Sequence, residues 1–188
     1  MTWPFGIMRP LSYGLIMADP PWDFRTYSQE GQKKGPASHY TVMSIGQIKA
    51  LPVGHLAGGD CVLWLWATHP MIDQQIEVAR AWGFRFVTSG VWIKRTKFGK
   101  LNFGTGYRLR CASEPFLICT NGNPATANNV RTVLEGPIRQ HSRKPDEAYA
   151  IAAHLVGNVA KADLFSRENR TGWDSWGDQA GHFAEAAE

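Results

Sequence analysis

The chain has 188 residues, 44% of them hydrophobic, with a net charge of +4 and three cysteines. That length and hydrophobicity support a sizeable core, which excludes a disordered or fibrous protein. No run is apolar enough for a membrane span, no signal-peptide pattern opens the chain, and Cys61, Cys111 and Cys119 form no CxxC pair. A cytoplasmic protein with reduced thiols and no metal site is expected.

The first element is Tyr13–Ala18, a short apolar run read as a buried strand of a parallel sheet. The turn Asp19-Pro20-Pro21-Trp22 follows, and a polar loop over residues 23–39 comes next. Ser44 is a helix cap for a short segment carrying Ile45, Ile48 and Leu51. Residues 60–66 read as a second buried strand. Pro70 opens a helix to Trp82, with Ile72, Ile76 and Ala79 on one face and Gly83 ending it. Residues 84–94 and 115–120 are two further strands, and 121–129 is a loop rich in Asn and Pro.

Pro145 at a first helical position, with Asp146 and Glu147 behind it, starts a helix whose stripe is Ala148, Ile151, Ala152 and Leu155. Residues 162–165 form a last short strand, 166–179 are polar with two tryptophans, and 180–188 are a frayed, disordered tail. Strands alternating with helices and no repeats predict one α/β domain over residues 1–179 with a mainly parallel sheet.

The turn after the first strand carries the chemistry. It sits at the edge where open α/β sheets bind ligands. Two prolines fix φ and remove two donors, so the turn is stiff, and their carbonyls, with that of the residue before them, remain free to accept hydrogen bonds. A carboxylate, a row of carbonyls and an indole plane suit a flat base bearing an exocyclic amine. Asp-Pro is also common in ordinary turns, and tryptophan often closes a core.

Two other regions add to it. Between Phe86 and Ser113 there is no acidic residue, while Lys94, Arg95, Lys97, Lys100, Arg108 and Arg110 fall inside, interleaved with Trp92, Phe98, Phe103 and Tyr107. In a loop this pattern suits phosphate contacts and base stacking; the alternative is a solvated basic face. At a second strand end, residues 166–170 and Asp178-Gln179 offer groups for a ribose diol and an amino-acid head group. Lys144 at a helix start suits a carboxylate by charge and dipole, or is an ordinary surface charge. There is no Gly-x-Gly-x-x-Gly and no Walker loop, and spacing alone names no cofactor.

From Tyr13 to Gln179 these motifs resemble the MT-A70 family of S-adenosylmethionine-dependent adenine N6-methyltransferases. Asp19-Pro20-Pro21-Trp22 matches its signature, and the similarity continues in order through residues 39–44, 63–66, 81–84, 91–94, 114–118, 141–147, 164–167 and 176–179. The resemblance implies a Rossmann-like class I methyltransferase fold in permuted order, helices on both faces, with S-adenosylmethionine as cofactor. It implies that Asp19 faces both adenine and the cofactor's methionine. Lys144, Arg167 and Asn169 meet the cofactor, and Asp178 with Gln179 holds its ribose. Tyr40 is a gate-loop tyrosine and Glu114 borders the base pocket.

On this reading Asp19 and the Pro20 carbonyl accept hydrogen bonds from the two N6–H groups, Pro21 stiffens the turn, and Trp22 stacks on the base. Arg25 and His39 in the first loop, with Lys94, Arg95, Lys97, Arg108 and Arg110, grip the nucleic acid. Glu168 stands where eukaryotic members have a proline-histidine pair, and the long N-terminal regions of those members are missing. A compact bacterial or phage type, acting on DNA and pairing as a homodimer, is the expectation. The same reaction on RNA, or a non-catalytic nucleic-acid-binding subunit, are the alternatives.

Overall fold

A computed structural model of the chain describes residues 3–23, 42–106, 108–139 and 143–177. Along the chain come β1 (Tyr13–Ala18), α1 (Ile45–Ala50), β2 (Ala57–Trp66), α2 (Ile72–Ala81) and β3 (Arg85–Arg95). Then follow β4 (Ser113–Asn121), β5 (Val133–Pro137), α3 (Asp146–Val156), β6 (Lys161–Leu164) and β7 (Asp174–Trp176). Among the described residues seven strands form one sheet in the order β5-β3-β4-β2-β1-β6-β7. The pairs β1–β2, β1–β6, β6–β7 and β3–β5 are parallel, whereas β4 runs antiparallel to both β2 and β3. The expected mainly parallel α/β sheet is therefore present, with one reversed strand.

Side-chain alternation along the strands divides the core into two layers. Ile16, Ala18, Cys61, Leu63, Leu65, Leu117 and Cys119 pack with Ile48 of α1 and Val78 and Ala79 of α2. On the other face Leu15, Met17, Val62, Trp64, Trp66, Trp92 and Phe116 pack with Ala148 and Ala152 of α3. Helices thus cover both faces, as the resemblance implies. Because Asp19 follows Met17 by two residues, it continues along the face that α3 covers.

Local chemistry explains most boundaries. Ser44 makes a capping box with Gln47: its hydroxyl accepts from the Gln47 N–H and its own N–H donates to Gln47 Oε1. The turn His69–Met71 is 3₁₀, so α2 starts at Ile72 and Pro70 precedes it rather than opening it. At the other end Gly83 has φ +84°, its N–H bonds the Arg80 carbonyl, and the Phe84 N–H reaches back to Ala79. That pair of bonds is a Schellman motif, which needs a glycine at the left-handed position. Pro145 is the N-cap of α3, one position earlier than the sequence suggests, and Asp146 and Glu147 lie in the first turn.

Three features depart from the expectation. β2 begins at Ala57, three residues earlier than read, through two glycines. β5 and β7 are strands that no local pattern announces. The connection between β3 and β4 is shorter than read: β3 runs one residue further, to Arg95, β4 starts two residues earlier, at Ser113, and residues 96–112 join them. Among the described residues no helix is long and apolar enough to cross a membrane. Cys61, Cys111 and Cys119 are free thiols, the first and last buried.

Candidate active site

β1, β2 and β3 end on one edge of the sheet, and β4, being reversed, begins there. Asp19 leaves β1 at this edge, its N–H donating to the Leu164 carbonyl of β6 at 3.2 Å. The Pro20 carbonyl accepts from the Trp22 N–H at 2.8 Å, and the Pro21 carbonyl accepts from the Met43 N–H at 3.0 Å. These bonds fix the turn, and they correct the reading that both carbonyls stand free. Pro20 is buried and Pro21 half-buried, and each carbonyl has a second lone pair beyond the bond it accepts.

Trp22 differs more sharply from its expected role. Its side chain belongs to the core, 3% exposed, and its Nε1–H donates to the Trp66 carbonyl at 3.1 Å. A ring so enclosed offers no open face for a base to stack on. It instead ties the turn to the end of β2.

Four charged side chains line the edge as an alternating ladder. Lys144 Nζ lies 2.7 Å from Asp19 Oδ2 and 2.7 Å from Glu114 Oε1. Lys94 Nζ lies 2.7 Å from the other glutamate oxygen, Oε2. In the strand order β3-β4-β2-β1, the ladder crosses from Lys94 to Glu114 to Asp19, and at β2 the Trp66 ring lies 5.3 Å from the Lys144 ammonium. Lys144 is the most enclosed member, at 7% side-chain exposure, and Asp19 the most open, at 31%. The sum of the four charges is zero, which is what allows so many ions to share a partly dry edge.

The ionisation of each member follows from this. Burial alone raises the Glu114 carboxyl, but the ammonium groups of Lys144 and Lys94 outweigh it and hold it down to about 2. Burial disfavours the charge of Lys144, yet Asp19 and Glu114 push that lysine above its ordinary value. For Asp19 burial is the larger effect and raises the carboxyl, with Lys144 and Arg167 pulling the other way.

A second cluster abuts the first through α3. Glu168, 8% exposed, pairs with Arg143 and with Arg170, and Arg139 approaches within 3.8 Å. Asp146 binds Arg139 at 2.6 Å and Arg170 at 2.5 Å. Below it, Asp163 of β6 is buried, with the Tyr149 hydroxyl 3.1 Å and the Ser166 hydroxyl 2.7 Å from its Oδ2. Ser166 Oγ is equally 2.7 Å from the Glu168 carbonyl. Burial raises that carboxyl to about 7, against the Ser166 and Tyr149 hydroxyls, whose hydrogen bonds favour the carboxylate.

Of the sequence-predicted residues, the fold brings together Asp19, Pro20, Pro21, Lys144, Glu114 and Lys94, with Arg167 half-buried and close enough to act on the Asp19 charge. Asn169 is exposed. Lys94 and Arg95 close β3, Lys94 within the strand as read and Arg95 one residue beyond it, and each is paired: Arg95 binds Glu135 through two bonds of 3.1 Å. Lys97, Arg108 and Arg110 are exposed on the 96–112 segment, beside Phe98 and Phe103, which are 76% and 77% exposed. Lys97 lies 5.1 Å from the Phe98 ring and Arg110 5.2 Å from the Phe103 ring. Arg25, His39, Tyr40, Asp178 and Gln179 fall outside the described residues.

Sequence reasoning missed Trp66 as the floor beneath Lys144, Glu168 as an arginine clamp, and Asp163. The last had a signal: an acid inside an apolar strand is rarely buried without a partner.

A profile of the MT-A70 family matches residues 13–179. The chain belongs to the MT-A70 family. Its sheet is accordingly a Rossmann-like class I methyltransferase fold, permuted so that the Asp19 turn precedes Lys144 and Arg167 in the chain. The chain is 30% identical to an N(6)-adenosine-methyltransferase MT-A70-like protein of Arabidopsis thaliana, over 89% of its own length and 24% of that protein. It is 29% identical to the type II methyltransferase M.MunI of a Mycoplasma species, over 88% of its length and 76% of M.MunI. To the human N(6)-adenosine-methyltransferase catalytic subunit METTL3 the identity is 27%, over 89% of the chain and 28% of that subunit. The chain thus spans about a quarter of the long plant and animal relatives and about three quarters of M.MunI.

S-adenosylmethionine is the methyl donor of MT-A70 methyltransferases. Its amino-acid end carries an ammonium and a carboxylate. Asp19, partly open, and the cations Lys144 and Arg167 beside it have matching charges, so the residues present fit the group.

Proposed function

We propose that this chain transfers a methyl group from S-adenosylmethionine to the N6 amine of adenine in DNA. The observation that carries the reading is the Asp19 turn: a partly exposed carboxylate and two rigid carbonyls at the ligand edge of the sheet, held by Lys144. The cofactor supplies an electrophilic methyl on a sulfonium. The adenine amine is a poor nucleophile because its lone pair is delocalised into the ring. Lys144 engages Asp19 Oδ2, and the carboxylate has its other oxygen to accept a hydrogen bond from one N6–H. The second lone pair of the Pro20 carbonyl accepts a hydrogen bond from the other N6–H.

Both bonds favour a pyramidal nitrogen, and both meet the positive charge that develops on it. Acceptors fixed in advance in this way are each worth about 10²–10³ in rate. Trp22, from beneath, keeps the turn in register with β2. A base in a duplex must leave the stack to reach this edge. Lys97, Arg108 and Arg110, with Phe98 and Phe103, are the groups to hold the backbone and neighbouring bases.

DNA is favoured because, of the three relatives, M.MunI is the one most of whose length the chain covers. The second reading is the same reaction on RNA, favoured by relatives named for adenosine, a ribonucleoside. The test is transfer of a labelled methyl group to single- and double-stranded DNA and RNA, followed by nucleoside analysis. N6-methyladenine in DNA is the expected product. Label in RNA alone selects the second reading, and no label in any of the four overturns both.

A further inference from the structure

Lys94 is the outermost rung of the ladder, yet it is held like an inner one. Across the β3–β4 pair Trp92 stands opposite Glu114, so Lys94, two residues on, is Glu114's diagonal neighbour on the same face. Its Nζ is 2.7 Å from Glu114 Oε2 and 4.9 Å from its own strand's Trp92 ring. The side chain is 23% exposed, whereas Lys97, Arg108 and Arg110 stand in solvent. A lysine anchored twice is poorly placed to follow a phosphate. It is well placed to fix Glu114, whose two oxygens are divided between Lys94 and Lys144.

We propose that Lys94 is a positioning residue of the methyl-transfer site, acting on Asp19 through Glu114 and Lys144 rather than on the nucleic-acid backbone. The inference rests on the methyl-transfer reading above and assigns a division of labour within one basic segment. Without Lys94 the ladder carries a net negative charge, and Lys144 becomes the only cation left to Glu114. The lysine is then drawn off Asp19, and the catalytic carboxylate loses the contact that orients it. Misplacement of a reacting group by about 1 Å costs about 10²-fold in rate, so loss of this tether predicts a fall of tenfold or more.

The experiment compares Lys94→Met, Lys94→Arg and Lys49→Met. Lys49, on α1, pairs with Glu77 away from the ladder. With labelled S-adenosylmethionine and saturating DNA, Lys94→Met is expected to lower kcat about tenfold or more while the KM for DNA and the salt dependence of binding stay as in the wild type. Lys94→Arg restores most of the turnover, and Lys49→Met changes nothing. An unchanged kcat, with a salt slope reduced by about 0.9 as for one lost phosphate contact, would overturn the proposal. Should Lys94→Met fail to fold, Lys94→Gln keeps a donor for Glu114 without the charge and is read against the same two outcomes.

A readout independent of activity separates this proposal from the function itself. The Lys144 side-chain nuclear resonances are expected to move in Lys94→Met and not in Lys49→Met. If the wild type methylates no nucleic acid, the function fails while this arm still decides the ladder: a moved Lys144 signal sustains it, and an unmoved one sinks it.

Discussion

Lys144 Nζ lies 2.7 Å from Asp19 Oδ2, a contact that joins the end of β1 to the start of α3 across 125 residues of chain. It is at once the reason Asp19 tolerates its surroundings and the reason it points where it does. Replacement of the carboxylate should therefore separate chemistry from folding. Asp19→Asn keeps the shape and removes the charge, leaving Lys144 its bond to Glu114. Methyl transfer is expected to fall by about 10²–10³, with the thermal unfolding midpoint close to wild type. Turnover within a few-fold of wild type would rule out a catalytic carboxylate.

Trp22 predicts the opposite balance. With Trp22 stacked on the base, as first expected, Trp22→Ala would abolish activity and spare the fold. With the ring 3% exposed and bonded to Trp66, truncation is expected to cost about 3–5 kcal/mol, measured by urea unfolding. Trp22→Phe, which loses the N–H and part of the ring, should cost distinctly less.

Glu114 and Asp163 give stability two opposite pH dependences. Glu114 is held at about 2 in the fold against an ordinary 4.5, so its contribution is present above 4.5 and is lost as pH falls towards 2. Asp163 is raised from 3.8 to about 7, so the folded state binds the proton the unfolded chain has released. Its contribution is present at the acid end and is lost as pH rises between those values. Asp163→Asn should flatten the decline between about pH 4 and 7, and Glu114→Gln should flatten the acid limb. Unfolding midpoints across pH 3–8 measure both.

Glu168 holds the second cluster. Its removal leaves Arg143 and Arg170 without the carboxylate they share. Glu168→Ala is expected to destabilise the fold by about 3–5 kcal/mol, as breaking one side of a buried pair does. It should also weaken cofactor binding measured by calorimetry, because the neighbouring Arg167 is expected to hold that group. A stable variant with unaltered cofactor affinity would make the cluster incidental.

Exposed cations of the 96–112 segment should act on binding alone. Lys97→Ala and Arg110→Ala are each expected to weaken affinity for DNA of any sequence and to reduce the salt slope by about 0.9, with kcat at saturation unchanged. Filter binding at several salt concentrations measures this.

Much of this is legible in the sequence. The run from Tyr13 to Ala18 needs no partner to declare itself, and neither does the stiff turn behind it. Ser44 and Gly83 mark helix ends by local chemistry. What could not be read depends on contacts between distant segments. β5 is a strand only because β3 lies beside it, and it buries just Leu134 and Gly136. Trp22 in a turn looks like an exposed stacking surface until the Trp66 carbonyl is seen above its N–H. Lys94 and Arg95 looked like their basic neighbours because nothing nearby in sequence reveals Glu114 and Glu135 opposite them.

The reversed strand has one further consequence. Since β4 starts at the edge where β3 stops, segment 96–112 leaves and returns at the same place, its two ends clamped by paired strands. Its length and composition can change without displacing Asp19, Lys144 or Glu114. If the segment grips nucleic acid as proposed, this one excursion is where the target would be rewritten while the charged edge stays fixed.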